Sequence, residues 1–280
     1  MAQNTMNTKP VRIMYDSNIT LSREKRIASM LSEFQLEFIE DEIPVEEEIS
    51  LLVQESRLSL IDPGLDKRAQ VHIDFTGGAT DHRRRFGGGK SQTLAKAVGL
   101  DQKKGLSVVD ATAGLAADSF VMACLGANVL MLERSPVLAL MISEGLCSAA
   151  QLAEDSDHEL SNIIGRMQFL HVDATDWLTK QKNDSLDIVY LDPMFPERKK
   201  KAAVKKEMQL LQSLLEPSLE QEPLRETEER NLLEQAIRTS YHRAVVKRPR
   251  HAPALGGEKP GYSLEGKSTR FDIYPKRTIG

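Results

Sequence analysis

The chain has 280 residues, 40% of them hydrophobic, and a formal net charge of −4. Length and apolar content suit a soluble globular protein, either one large domain or a main domain with a small companion. The longest apolar region, Phe120 to Leu132, is interrupted by Gly126 and Asn128 and falls short of the roughly 20 residues a membrane span needs, and the opening MAQNTMNTKPV lacks the apolar segment of a signal peptide.

From residue 1 to 76, short apolar alternations (Val11 to Met14, Leu51 to Val53, Leu58 to Ile61, Val71 to Asp74) surround one amphipathic stretch, Leu21 to Phe34. This pattern predicts a small N-terminal α+β unit. The segment GGATDHRRRFGGGK, 77 to 90, is dense in glycine and cations and reads as a basic loop. From 91 to 280 the pattern becomes strand alternating with helix: Ser107 to Asp110, a helix from Ala116, Val129 to Glu133, a helix from Pro136, Gln168 to Val172, Ile188 to Leu191, a helix from Ala202, and Arg243 to Lys247. Such alternation predicts an α/β domain, a doubly wound and mostly parallel sheet with helices on both faces. Cys124 and Cys147 read as buried thiols of a reducing cytosol, with no CxxC or cysteine-histidine cluster to hold a metal.

Ligands of doubly wound sheets bind beyond the carboxyl ends of the strands, so those ends carry the functional reading. In SVVDATAGLAADSF the strand closes on Asp110, Gly114 lets a ligand approach the backbone, and Asp118 opens the next helix. Only one glycine of a dinucleotide fingerprint is present, which disfavours a pyrophosphate ligand and a nicotinamide oxidoreductase. VLMLE closes on Glu133, 23 residues after Asp110, near the spacing at which a carboxylate meets ribose hydroxyls. MQFLHVDATDWL closes on Asp173, which either accepts from an adenine amino group or caps the helix that follows. Adenosine held without pyrophosphate points to S-adenosyl-L-methionine.

The stretch DIVYLDPMFPERKKK, 187 to 201, supplies the acceptor side. An exocyclic base amine is a weak nucleophile because its lone pair is delocalised into the ring. Asp192 and the carbonyl of Pro193 can accept its two N–H bonds, and Phe195 offers a face on which an unstacked base can lie. Tyr190, on the other side of its strand from Leu191, reads as core. The charge is segregated along the chain: acid collects in Glu37 to Glu48 and Glu216 to Glu234, base in Arg83-Arg84-Arg85, Arg198 to Lys201 and Lys247-Arg248. Basic clusters beside site segments imply a polyanion, with Arg83, Arg84, Arg85, Lys90, Arg198, Lys199, Lys200, Lys201, Lys247 and Arg248 as candidate RNA contacts. His82, beside the arginines, reads as a loop histidine or a catalytic one.

Taken together, TDHRRRFGGGK, DATAGLAADSF, MLERSP, YLDPMFPERKKKAAVKKEM, VVKRP and the closing RFDIY resemble the bacterial 16S ribosomal RNA guanine-N2 methyltransferases of the RsmJ family, from Val71 to Tyr274. The resemblance implies a class I, Rossmann-like methyltransferase fold, S-adenosyl-L-methionine as donor, and a guanine of 16S rRNA in the small ribosomal subunit as acceptor, in the cytoplasm. Carried onto this chain, the donor positions fall at Ala117, Asp118, Glu133, Arg134, Asp173, Ala174 and Asp192. Ala116-Ala117 stands where the family pattern has Gly-Arg, so contact there falls to the backbone. Other readings are an amino-methyltransferase acting on DNA or another RNA, and a non-catalytic RNA-binding module with the same fold.

Overall fold

Residues that alternate between the two faces of a strand, and turns placed between them, build two sheets in this chain. The computed structural model describes residues 11–36, 38–40, 49–62, 70–77, 89–194, 209–211, 214 and 222–280. The first sheet is made of β1 (Val11–Tyr15), β2 (Phe38–Glu40), β3 (Ser50–Val53), β4 (Leu58–Ile61) and β5 (Gln70–His72), in the order β2-β1-β3-β4-β5. Helix α1 (Leu21–Glu33) is capped by the Thr20 hydroxyl, which accepts from the Arg23 N–H, and buries Ile27 and Leu31.

The second sheet has seven strands: β6 (Ser107–Asp110), β7 (Asn128–Glu133), β8 (Met167–His171), β9 (Leu186–Leu191), β10 (Ser240–Pro249), β11 (Tyr262–Glu265) and β12 (Thr269–Pro275). Their order is β11-β12-β10-β9-β6-β7-β8, parallel from β10 to β8, with β12 antiparallel to both β10 and β11. Counted from β6 as the first, that order reads 3-2-1-4-5-7-6 from the β8 edge. The order reverses between β6 and β9, which is where a doubly wound sheet opens a crevice at its carboxyl edge. The connecting helices are α3 (Ala117–Cys124), α4 (Pro136–Ser156), α5 (His158–Ile164), α6 (Ala174–Thr179) and α7 (Glu222–Thr239), with α2 (Gly89–Val98) preceding β6.

Side chains leave the strands with a period of two and fill two layers. Val108, Ile188, Tyr190, Val245 and Ile273 face one way; Val109, Val189, Leu191, Ala244, Val246 and Tyr274 face the other. The first layer is continuous with the core of the N-terminal sheet, so Ile13, Leu51 and Leu60 belong to one hydrophobic cluster with Val108 and Met131.

Several sequence expectations shift. Helix α2 begins at Gly89, inside the stretch read as a loop. The helix expected from Ala202 falls mainly outside the described residues, and the acidic region before β10 contains α7. Neither cysteine is in a disulfide, and both are only half-buried. The longest apolar stretch is not Phe120 to Leu132 but lies in α4: Pro136–Glu154 is long and apolar enough to cross a membrane, and more than half of it is buried inside the protein. Its Val137–Ile142 run packs into the core, and Glu144 meets Arg23 of α1 while accepting from the Ser148 hydroxyl of its own helix, as expected of a central helix of a sheet layer.

Candidate donor and acceptor site

The loop after β6 is built around a buried carboxylate. Asp110 is 2% exposed; its Oδ1 accepts from the Thr112 N–H at 3.1 Å and its Oδ2 from the Ser119 hydroxyl at 2.5 Å. Burial pushes its pKa up to about 7 against those two hydrogen bonds, with the charges of Asp118 and Asp192 adding to the rise. Asp110 therefore ties the loop to the first turn of α3, and both of its oxygens already have protein partners. These bonds shape the loop after β6, at a position where the sequence reading also sets a donor contact for Asp110.

Gly114 sits at φ 54°, and a Cβ there would meet only the Thr112 carbonyl oxygen, at 3.8 Å, so the backbone stays open to a ligand. Ala116, where the resemblance has glycine, also takes the left-handed conformation, φ 56° and ψ 20°, and provides no side-chain cap for α3. The first N–H groups of α3, at Ala117 and Asp118, thus lack a capping side chain. The Gly114 N–H donates to Glu133 Oε2 at 2.9 Å, and the Ser135 N–H donates to Oε1 at 2.8 Å. Glu133 is 9% exposed, and burial raises its pKa while the two N–H donors oppose the rise. Each oxygen has used one lone pair and retains another. The carboxylate can therefore shape the glycine loop and still receive two hydroxyls.

Beside it, Arg134 reaches Asp173 at 3.9 Å and Glu228 at 3.7 Å, in exposed ion pairs of small energetic value. Asp173 caps α6, accepting from the Asp176 N–H at 3.1 Å, so the capping alternative holds, and its Oδ2 remains turned to Arg134. Ala174 is buried and offers its backbone alone.

The acceptor side lies across the switch point. The Asp192 N–H donates to Thr112 Oγ1 at 2.6 Å, pinning the loop after β9 to the loop after β6. Asp192 Oδ2 accepts from Lys247 Nζ at 2.7 Å; the same ammonium reaches Asp118 Oδ2 at 2.6 Å, and the Tyr190 hydroxyl donates to that oxygen at 2.6 Å. Burial works to lower the Lys247 pKa, but Asp192 and Asp118 more than offset it and hold the lysine cationic. Burial and Asp118 raise the pKa of Asp192, which Lys247 pulls back down. Two carboxylates share one cation, and the excess negative charge suits a sulfonium-bearing donor.

Two of the predicted RNA contacts are placed elsewhere. Lys247 points into the carboxylate pair rather than out to a phosphate. Arg248 is 2% exposed and donates through Nε to the Pro253 carbonyl at 3.2 Å, so it is a core residue of this edge. Phe195, Arg83, Arg84, Arg85, Arg198, Lys199, Lys200, Lys201 and His82 lie outside the described residues, as does the side chain of Lys90. Pro193 is half-buried after β9, and Arg225 of α7 donates to the Met194 carbonyl, bracing that loop. Sequence reasoning missed Thr112, Arg225 and the second role of Tyr190, which is core, as expected, but ends in a hydroxyl on Asp118. Among the described residues no group of three or more His, Cys, Asp or Glu could hold a metal ion.

The donor set fits S-adenosylmethionine: an open glycine loop, an uncapped helix start, a buried carboxylate with lone pairs to spare and net negative charge. Comparisons agree. A family model described as "Putative SAM-dependent methyltransferase" matches residues 30–276. A protein of Pseudomonas aeruginosa (strain LESB58) named "Ribosomal RNA small subunit methyltransferase J" is 43% identical over 235 residues, covering 84% of this chain and 85% of the relative. Its namesake in Saccharophagus degradans is 39% identical over 266 residues, covering 93% and 96%. The crystal structure of a SAM-dependent methyltransferase from Neisseria gonorrhoeae superposes with a TM-score of 0.67 at 32% identity, over 95% of this chain and 96% of that one.

Proposed function

The chain belongs to the ribosomal RNA small subunit methyltransferase J family of S-adenosylmethionine-dependent methyltransferases, and from that premise we propose that it methylates the exocyclic N2 amine of a guanine in 16S rRNA, in the cytoplasm, on the free RNA or the small ribosomal subunit. The observation that carries the guanine assignment is the carboxylate of Asp192 at the switch point, held beside a lysine. An ionised carboxylate offers two acceptors side by side. Guanine matches them with N1–H and N2–H, whereas adenine and cytosine each set an acceptor nitrogen next to their amine.

When bound, S-adenosylmethionine supplies an electrophilic methyl group on a sulfonium sulfur and departs as the neutral thioether. The chain supplies the rest. Gly114, Glu133 and Asp173 position the donor, and Asp192 with the Pro193 carbonyl accepts the amine hydrogens and concentrates the lone pair on nitrogen. Once the N–C bond has formed, the nitrogen proton is acidic and passes to Asp192 or to water, so no strongly activated base is needed. Phe195 stacks the base, and Arg83, Arg84, Arg85, Lys90, Arg198, Lys199, Lys200 and Lys201 grip phosphates. In this reading residues 91–280 form the methyltransferase domain, 77–90 a basic connection that runs into the start of α2, and 1–76 a companion unit.

The test uses a 16S rRNA fragment and its counterpart with inosine at the target, which lacks the N2 amine. Methyl transfer should occur on the first and vanish on the second. Asp192→Ala should leave RNA affinity nearly constant and lower the rate at saturating donor and RNA, since the acceptor acts mainly in the transition state. Full methylation of the inosine fragment, or a variant with a normal saturated rate and poor RNA binding, would refute the assignment.

A further inference from the structure

Lys247 stands at the carboxyl end of β10, where the register Val246↔Leu191 carries the chain on to lie beside Asp192. Its ammonium is the shared partner of Asp192 and Asp118, at 2.7 and 2.6 Å, and thereby joins β10, the loop after β9 and the first turn of α3. We propose that Lys247 is a positioning residue of the methyl-transfer site: it keeps Asp192 ionised and turned towards the base amine. This rests on the reading of Asp192 as the amine acceptor.

The argument is electrostatic. Asp192 is faced by Asp118 from α3, by Lys247 and Arg248 from β10, by Asp110 from the end of β6, by Tyr190 of its own strand, and by the Thr112 hydroxyl. Tyr190 already gives its proton to Asp118, and Arg248 is engaged with the Pro253 carbonyl. Among the described residues, Lys247 is the cation that the ion pairs place in direct contact with the carboxylate of Asp192. Without it, two carboxylates that now meet on one nitrogen would repel, and one of them would take up a proton. A protonated Asp192 has an O–H where the amine needs an acceptor. It could neither draw an N–H bond towards itself nor receive the proton that nitrogen releases after methylation.

The sign follows. The acid form of Asp192 is the inactive one, so losing Lys247 should move the midpoint of its titration upward, by about 1–3 pH units as for a carboxylate losing a close cation. Activity should then be lost at low pH and regained as pH rises past the new midpoint. A purely structural cross-link would lower activity equally at every pH.

Two measurements test this in Lys247→Met and Lys247→Arg. The first follows the Asp192 carboxyl carbon by NMR in the protein alone, labelled with carboxyl-13C aspartate and assigned with Asp192→Asn. The second is the pH profile of methyl transfer to the 16S rRNA fragment at saturating donor. The methionine variant should show the raised midpoint in both, and the arginine variant should restore the wild-type profile. An Asp192 titration unchanged in Lys247→Met, or a loss of rate that does not vary with pH, overturns the proposal. Should the methionine variant fail to fold, Lys247→Gln keeps a polar head group without the charge and is read by the same two outcomes. The titration involves no RNA, so a failed guanine assignment, seen with inosine, and a failed role for Lys247 give different results.

Discussion

Glu133 closes the glycine loop through the Gly114 N–H and keeps a lone pair on each oxygen, which the proposed function assigns to the donor. Glu133→Ala should weaken S-adenosylmethionine binding by about 1.5–3 kcal/mol, the range for hydrogen bonds to a charged group, with the fold intact. Glu133→Gln, which keeps one acceptor oxygen for Gly114, should lose less. Calorimetric titration of the donor decides it, and unchanged affinity in the alanine variant would remove Glu133 from the donor site. The sequence singled out Glu133 because strand ends in a parallel sheet converge on one edge and this one follows Gly114 near the ribose spacing; its bond to the Gly114 N–H was not legible, since it joins residues 19 apart in the chain. Lys247 was legible only as a cation at a strand end. Whether it faces solvent or a neighbouring carboxylate depends on which strand lies beside β10, and that pairing is set 55 residues back in the chain, at Asp192.

The elements most readily read were those whose pattern is local. The strands from β6 to β9 are short β-branched or apolar runs bounded by turn residues, and each was placed within two residues of its observed bounds. Helix α7 was missed because its sequence, EPLRETEERNLLEQAIRT, is so acidic and polar that charge hides the few positions, Leu233 and Ala236 among them, that pack on the sheet. The joining of α1 to α4 was equally hidden, since it depends on residues more than a hundred apart. Arg23 Nη1 meets Glu144 Oε1 at 2.8 Å, with both side chains only 4% exposed, and Ser148 adds a hydrogen bond to the same oxygen at 2.7 Å. Breaking a buried pair from one side strands the other charge, at a cost of about 3–5 kcal/mol, whereas replacing both partners with apolar residues is often neutral. Glu144→Leu should therefore lower the urea midpoint strongly, and Arg23→Met with Glu144→Leu should recover most of the loss. A single variant as stable as the wild type would mean that the contact between α1 and α4 is held by packing alone.

At the scale of the whole molecule, a net charge of −4 conceals a division of labour. Negative charge is concentrated where the sulfonium donor would bind, around Asp118, Asp192 and Glu133, and two of the cations nearest that edge, Lys247 and Arg248, are engaged with protein partners. In the function proposed above, the grip on a polyanion falls to the clusters at 83–85 and 198–201, which flank the two halves of the site in sequence. Cations that neutralise phosphates release condensed counterions, so the logarithm of the association constant for RNA should fall linearly with the logarithm of salt concentration. Replacing Lys199, Lys200 and Lys201 with alanine should flatten that line. On single-stranded RNA each lost phosphate contact removes roughly 0.7 from the slope, and loss of all three removes about 2. Lys247→Met should instead leave the slope as it is, because its ammonium is committed to carboxylates and displaces no counterion from RNA. Fluorescence anisotropy with a labelled 16S rRNA fragment, titrated at several salt concentrations, separates the two. Donor affinity in the triple-alanine variant should match the wild type, since these lysines follow the acceptor loop and none belongs to the donor set. A slope unchanged by the triple substitution, together with a collapse of donor affinity, would place the lysines in the methyl-donor site and leave the RNA to some other face of the protein.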